Sequence, residues 1–332
     1  WGIATTVDSV GNVGKYPTIA LDVAGNHNIS YYDVGNGDLK YAKYTGTSWS
    51  TSTVDSVGNV GRSAAIAIDG ADNPHIAYQD ASNAALKYAR YNGVVWSTQT
   101  LDLAAFSQGF NGISIALDGM GNPRIAYDFS GLYYARFDGI SWSTGNLETG
   151  GNISNGGFTA IVVDSTGNPH ITYSYVSGVS KYSKFNGVSS TTIEGSGGSY
   201  RAGASSILLD GLGNPHITYI KNDTHDLIYT SYNGISWSSQ TIDTSGNSPS
   251  ISMDASGGIH VSYYDIANTD VKVAHWNDAG FTAPMGGNAR GKVQGPTNFR
   301  ATSVGGTSVD WTWNDNASNE AGLTKTSSIP AS

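Results

Sequence analysis

The sequence predicts an all-β fold, a six-bladed β-propeller built from four-stranded blades. Three observations predict it. A marker segment recurs six times, as ALDVAGNHNISYYD, AIDGADNPHIAYQD, ALDGMGNPRIAYDF, VVDSTGNPHITYSY, LLDGLGNPHITYIK and SMDASGGIHVSYYD. Its aspartates, Asp22, Asp69, Asp118, Asp164, Asp210 and Asp254, are 47, 49, 46, 46 and 44 residues apart, which is the length of a blade. Between markers the chain carries four short strand-like runs separated by turn residues.

In the second copy those runs are Ala64–Asp69, His75–Tyr78, Leu86–Tyr91 and Trp96–Leu101. The first, AAIAID, is apolar or small at nearly every position, as an innermost strand buried on both faces requires. Asp69 to Asn73 then makes a tight turn, where Asp and Asn bond their own backbone. Asn92-Gly93 joins the third and fourth runs as a hairpin, with Asp138-Gly139, Asn186-Gly187 and Asn233-Gly234 in sister copies. The fourth run opens on tryptophan at Trp1, Trp49, Trp96, Trp142 and Trp237; Ser190 and Phe281 take that place in the others. An aromatic at one fixed address is expected to wedge between neighbouring sheets, the alternative being a stacking platform for a sugar. Seven candidates for the fourth run face six copies of the first three. Trp1–Val7 is therefore expected to pair with Val271–Trp276 and close the last blade. The propeller is assigned to residues 1–282, a Gly- and Asn-rich linker to 283–294, and a different kind of segment to 295–332.

Composition narrows the function classes. A net charge of −9 with no basic run argues against nucleic acid and anionic membrane surfaces. No apolar stretch approaches the ~20 residues of a spanning helix. Without cysteine, neither disulfides nor thiolate metal sites are available. Polar Ser/Thr/Asn/Gly surfaces with an appended module point to a secreted or cell-surface prokaryotic protein.

In such blades one face gathers the second-to-third loops and the crossings between blades, and these vary in length and chemistry. The opposite face holds the uniform Asp-x-x-Gly-Asn turns and hairpins. Function is expected on the variable face. Its candidates are Lys15, Tyr16, Arg62, Phe106, Phe110, Tyr200 and Arg201 on the crossings, with Tyr175 and His225 on the other loops. Tyrosines beside charged groups suit a polar, ring-shaped ligand such as a sugar. Asp33, Asp80 and Asp265 recur at one position; such a ring of carboxylates can hold calcium, or each can cap its own loop. No cofactor is required. His75, His170, His216 and His260 share one address across the tight turn from the marker Asp, and are assigned to pinning that hairpin.

The repeats resemble the β-propeller repeats of secreted bacterial proteins of sialidase-like type. The hairpin DGISW, Asp138–Trp142, resembles the Asp-box of sialidases, shorter by one residue. From Gly295, GPTNFRATSVGGTSVDWTWNDNASNEAG resembles the first strands of a fibronectin type III domain. The resemblance implies a glycosidase as one reading, with a tyrosine nucleophile and an arginine trio. The sequence supplies three glutamates, Glu148, Glu194 and Glu320, and two mouth arginines, Arg62 and Arg201, so the trio is missing. A lyase pairing Tyr175 or Tyr200 with His225 has no motif behind it. The expected function is an extracellular recognition or structural module for a glycan or a neighbouring protein. The alternative is a sialidase-like glycoside hydrolase or a polysaccharide lyase. Self-assembly is expected to run through the segment after Gly295.

Overall fold

The computed structural model describes residues 5–103, 112–128, 131–147, 158–175, 179–184, 189–194, 204–221, 224–277, 280–282, 297–304, 308–314 and 328–330. The chain divides into two compact units, Trp1–Pro284 and Met285–Ser332.

Among the described residues six four-stranded antiparallel sheets make up the first unit, each ordered first to fourth strand as the chain runs. They comprise β1 (Val13–Leu21), β2 (His27–Asp33), β3 (Asp38–Tyr44) and β4 (Trp49–Asp55); β5 (Val60–Ile68), β6 (Pro74–Asp80), β7 (Ala85–Tyr91) and β8 (Trp96–Leu103). Next come β9 (Ile113–Leu117), β10 (Pro123–Asp128), β11 (Leu132–Phe137) and β12 (Trp142–Asn146); β13 (Thr159–Val163), β14 (Pro169–Tyr175), β15 (Val179–Lys184) and β16 (Ser189–Glu194). The last two sheets are β17 (Ser205–Leu209), β18 (Pro215–Ile220), β19 (Leu227–Tyr232) and β20 (Trp237–Asp243), then β21 (Gly246–Met253), β22 (Ile259–Asp265), β23 (Asp270–Asn277) and β24 (Gly280–Thr282). In the second unit β25 (Thr297–Val304), β26 (Ser308–Asn314) and β27 (Ser328–Pro330) form a three-stranded antiparallel sheet.

Burial follows the strand's place in the blade. Every residue of β6 is buried, whereas β8 is a Ser/Thr/Gln-rich edge exposed along most of its length. The sheets stack face to face, with β1 against β5, β5 against β9, and so on to β21. Among the described residues five hydrophobic clusters lie at the five junctions between consecutive sheets. At the first, Leu39 and Tyr41 of β3 meet Ile66, Ile76 and Tyr78 of the next sheet.

Three of the tryptophans, Trp96, Trp142 and Trp237, act as the expected wedges, while Trp49 meets only His27 and Tyr44 of its own sheet among the described rings. Trp96 meets Tyr41 of the preceding sheet edge-on at 5.2 Å between ring centroids; Trp142 meets Tyr88 at 4.9 Å and Trp237 meets Tyr182 at 5.2 Å. In the last sheet Trp276 itself contacts Tyr229 at 5.4 Å.

Closure of the last sheet by Trp1–Val7 is not seen among the described residues, and the expected crossings need correction. The fourth place in the last sheet is taken by β24, with Trp276 opposite Phe281 as Tyr44 is opposite Trp49. A two-residue connection back onto the preceding strand closes the smallest loop, and loop closure is least costly when short. Trp1–Ala4 lie outside the described residues, and Thr5–Val7 are not in a strand. Secondly, Lys15, Tyr16 and Arg62 do not sit on simple crossings, because β1 and β5 begin at Val13 and Val60 with bulged registers.

Candidate functional site

The bulges create the candidate site. Register slips between Lys15 and Thr18 and between Arg62 and Ala65, and each bulge places a non-glycine residue in the left-handed region, Tyr16 at φ 51° and Ser63 at φ 49°. Such bulges bend the strand and re-aim its side chains. Here they turn Tyr16 and Arg62 onto one cavity of ≈ 400 Å³, where the first strands of four consecutive sheets converge. Pro17, Thr18, Ser63, Ala64, Gln79, Gly112, Ile113, Phe158 and Thr159 complete its lining. Tyr32 supports it from below: its ring centre lies 5.6 Å from the Arg62 guanidinium carbon and 6.3 Å from the Tyr16 ring, and its hydroxyl donates to Asn59 Oδ1 at 2.7 Å. Tyr32 was not among the sequence candidates. It and Gln79 share one register position, directly before the capping aspartate, and that adjacency was the available signal.

The remaining candidates fare differently. Lys15 is exposed, opposite Tyr32 in register, and does not line the cavity. His225 is exposed at φ 62° in the turn after β18, the conformation that Gly37, Ala84 and Thr269 adopt in sister turns; Gly246 N–H donates to its carbonyl. Its position is explained by the turn. Phe106, Phe110, Tyr200 and Arg201 lie outside the described residues, as does the side chain of Tyr175. Arg62 is the arginine on the cavity among the described residues; Arg90 and Arg124 bond marker aspartates on the opposite face, and Arg136 donates to Ser143.

Asp33, Asp80 and Asp265 are turn caps rather than a convergent ligand set. Each takes the backbone N–H of the residue three ahead on Oδ1 and that residue's side-chain amide on Oδ2: Asn36, Asn83 and Asn268 respectively. Lys272 adds an ion pair to Asp265 at 2.7 Å. With both oxygens engaged inside its own blade, each carboxylate faces its own turn. Among the described residues no three His, Asp or Glu side chains converge as a metal site would require.

On the tight-turn face the histidines pin the hairpins as the sequence suggested. His75, His170 and His260 approach Asp69, Asp164 and Asp254 through Nε2 at 3.3, 3.4 and 3.0 Å. On the other ring edge Nδ1 of His75 and His170 meets the Tyr88 and Tyr182 hydroxyls at 2.5 and 2.7 Å, and His216 meets Tyr229 at 2.5 Å. Burial pushes the His75, His170 and His216 pKa values below the ordinary 6.5, against the pull of their aspartates. Burial also disfavours charge on Asp69 and Asp164, but hydrogen bonds from Asn73 and His75, and from Thr166, Asn168 and His170, outweigh it. Both carboxyls are held far below 3.8. Both kinds of depressed pKa contribute stability above the unfolded value, lost as pH falls. Stability should therefore drop in two stages, first below about pH 6.5 as unfolded histidines take up protons, then below about pH 4. Thermal unfolding against pH checks this. Replacing His75, His170 and His216 by asparagine, which already accepts the Tyr41 hydroxyl at Asn28, should flatten the first stage alone.

Clefts lie beside the wedges, where the alternative reading of the tryptophans as stacking platforms would place a sugar. Between the first two sheets a cleft of ≈ 620 Å³ is lined by Tyr41, Lys43, Ser50, Asn73, Tyr91 and Trp96, among others. At the next junction Tyr88, Arg90, Ser97, Asn122, Phe137 and Trp142 take the same addresses around ≈ 490 Å³. Lys43 and Arg90 are tied to Asp22 and Asp69, at 3.2 and 3.1 Å, and both stay partly open to solvent.

The fold and its cavities define a β-propeller with an aromatic and polar cavity where the inner strands meet. No protein-family model and no curated protein sequence matches the chain. Solved structures do. The Aleuria aurantia lectin AAL in complex with Fucalpha1-6GlcNAc is 16% identical, covering 85% of this chain and 100% of its own, with a TM-score of 0.52. Another structure of that lectin, described as a six-bladed beta-propeller fold with a novel fucose recognition mode, is 17% identical over 85% of this chain and 100% of its own, also at 0.52. The BP39L lectin from Burkholderia pseudomallei is 12% identical, covering 81% of this chain and 83% of its own, at 0.65. Likeness at this identity establishes the propeller fold.

Proposed function

We propose that this protein is a glycan-binding propeller module working outside the cell, and that the cavity of Tyr16 and Arg62 receives the sugar. One observation carries the reading: two equivalent bulges, each with a residue in the left-handed region, deliver an aromatic ring and a guanidinium to the same wall. Left-handed conformations at non-glycine positions are costly and concentrate at binding sites. A tyrosine ring covers the apolar face of a pyranose, while Arg62 and Gln79 offer donors to its hydroxyls. The propeller neighbours whose names record a lectin, two of them with fucose or a fucosylated sugar, support the ligand class.

Tyr16→Ala and Arg62→Ala should each weaken the best ligand from a glycan array by ~1–3 kcal/mol, read by calorimetry, with the fold intact. Asn92→Ala, on the opposite hairpins, should leave affinity unchanged. A second reading places the sugar in the junction clefts, favoured by their equivalent Trp, Tyr and cationic linings at two successive junctions. Lys43→Ala and Arg90→Ala decide between them. Loss of binding in those variants, with full affinity in Tyr16→Ala and Arg62→Ala, moves the site to the clefts.

A further inference from the structure

The first and last junctions between sheets are built around the same kind of socket. At the first, Leu39 is fully buried among Val54, Val60, Ile76 and Tyr78. Its backbone lies so near Gly61 that a Cβ there would stand 2.7 Å from Leu39 Cα. At the last, Leu227 presses in the same way on Gly246, 2.6 Å from a Cβ placed there. Below the socket a linking aspartate binds the second-strand tyrosine: Asp55 takes Tyr78, Asp102 takes Tyr127 and Asp243 takes Tyr263, each at 2.7 Å.

The first sheet carries the same socket with no described residue filling it. Val7, Val13, Gly14, Ile29 and Tyr31 stand where Val54, Val60, Gly61, Ile76 and Tyr78 stand, around an apolar groove of ≈ 200 Å³. No atom of the described residues lies within 4 Å of a Cβ placed at Gly14. The linking aspartate is already in place, as Asp8 takes the Tyr31 hydroxyl at 2.7 Å and Lys40 at 3.1 Å. Beside the groove Ile19 is 59% exposed, whereas its counterpart Ile66 is 9% exposed. The last sheet shows the complementary vacancy: Val271, the counterpart of buried Leu39, is 81% exposed, and Val273 stands exposed in place of the buried Tyr41.

At the junctions where the linking aspartate is seen in its strand, it stands in one of the last two positions of the fourth strand of the sheet that supplies the socket leucine: β4 ends in Asp55 and Leu39 is in β3, β8 has Asp102 as its last residue but one and Leu86 is in β7, β20 ends in Asp243 and Leu227 is in β19. Asp8 must likewise end the fourth strand of whichever sheet fills the groove. The last sheet does not qualify, because β24 holds its fourth place. We propose that the open faces of the first and last sheets dock one further four-stranded unit of this repeat, set between them, with the segment ending at Asp8 as its fourth strand. The unit inserts a third-strand leucine into the groove and offers a tyrosine to Trp49, which now contacts only Tyr44 and His27 of its own sheet among the described rings. Its own first and second strands cover Val271 and Val273.

The test compares the chain as it is with a fusion in which residues 58–95 are copied directly ahead of Trp1, so that Trp1 follows a third strand and hairpin. In the unfused chain Val271→Asp should shift the thermal midpoint by no more than about 2 °C, as expected of an exposed site, and the mass in solution should be that of a monomer. In the fusion, amides of Val13–Leu21 should gain strong protection from hydrogen exchange, and Gly14→Ala should lower the midpoint far more than in the unfused chain. A large loss from Val271→Asp in the unfused chain would show the two ends already packed on each other. A concentration-dependent mass abolished by Val271→Asp would make a second copy the occupant. Either result, or a fusion without new protection, overturns the proposal.

Discussion

Asp55→Ala should cost the propeller ~3–5 kcal/mol of unfolding free energy, the largest loss expected from removing one side chain's polar group. Asp55 is buried at the first junction and accepts three hydrogen bonds, from Lys87 Nζ at 2.5 Å, from the Tyr78 hydroxyl at 2.7 Å and from Val57 N–H at 3.1 Å. Burial disfavours its charge, but Lys87 and Tyr78 more than compensate and hold the carboxyl below its usual range. Truncation leaves a buried ammonium and a fully buried hydroxyl without their acceptor, and an uncompensated buried charge is the expensive part. Asp102 offers an internal control. Tyr133 stands there in place of Lys87, so among the described residues Asp102→Ala removes the acceptor of the Tyr127 hydroxyl with no ammonium involved and should cost ~1–3 kcal/mol. Urea unfolding of the two variants measures the difference. Asp55→Ala combined with Lys87→Met should recover much of the loss, since an apolar pair can replace a buried ion pair at little cost. Equal losses in Asp55→Ala and Asp102→Ala would mean that Lys87 finds water without strain.

Gly61→Ala should lose ~3 kcal/mol or more, from crowding and backbone conformation together. Gly61 sits at φ 100°, which side chains rarely adopt, and an added Cβ would meet Leu39 Cα, Cβ and N at 2.7, 2.8 and 3.0 Å. Those atoms belong to a buried strand hydrogen-bonded on both sides, β3 between β2 and β4, so no flexible side chain can swing away. The first two sheets would have to separate at their closest point. A lowered midpoint with unchanged m-value in urea fits that picture, and a loss under ~1 kcal/mol would show the junction to be compliant. Gly93→Ala, where φ is 89° but the nearest other atom is Asn73 Oδ1 at 4.0 Å, isolates the conformational part.

The repeat, its strands and the wedge tryptophans were legible from local signals: a period in the forties, apolar inner runs, Asn-Gly hairpins and an aromatic at one address. These are properties that a few neighbouring residues settle through turn chemistry and strand alternation. The histidines were legible for the same reason, because His75 and Asp69 are joined through a single turn. Asp33, Asp80 and Asp265 show the limit of that reading. Their recurrence favoured a set of caps over a ring of ligands without deciding it, and only the directions of the carboxylates, each onto its own Asn36, Asn83 or Asn268, separated the two.

Pairings across junctions were decided by tertiary structure alone. Leu39 filling a socket made by Val54, Val60 and Ile76, Lys87 reaching Asp55, and Tyr32 holding Arg62 all depend on how one blade leans on another. Strand periodicity carries no information about that distance. The bulges of β1 and β5 belong to the same category: Gly14-Lys15-Tyr16 and Gly61-Arg62-Ser63 look like loop residues, yet pairing with β2 and β6 draws them into strands and turns Tyr16 and Arg62 together. The sequence by itself determined what each blade is. Only the packing of blades determined which side chains meet, because burial and close approach between sheets arise from contacts some fifty residues apart that no local pattern encodes.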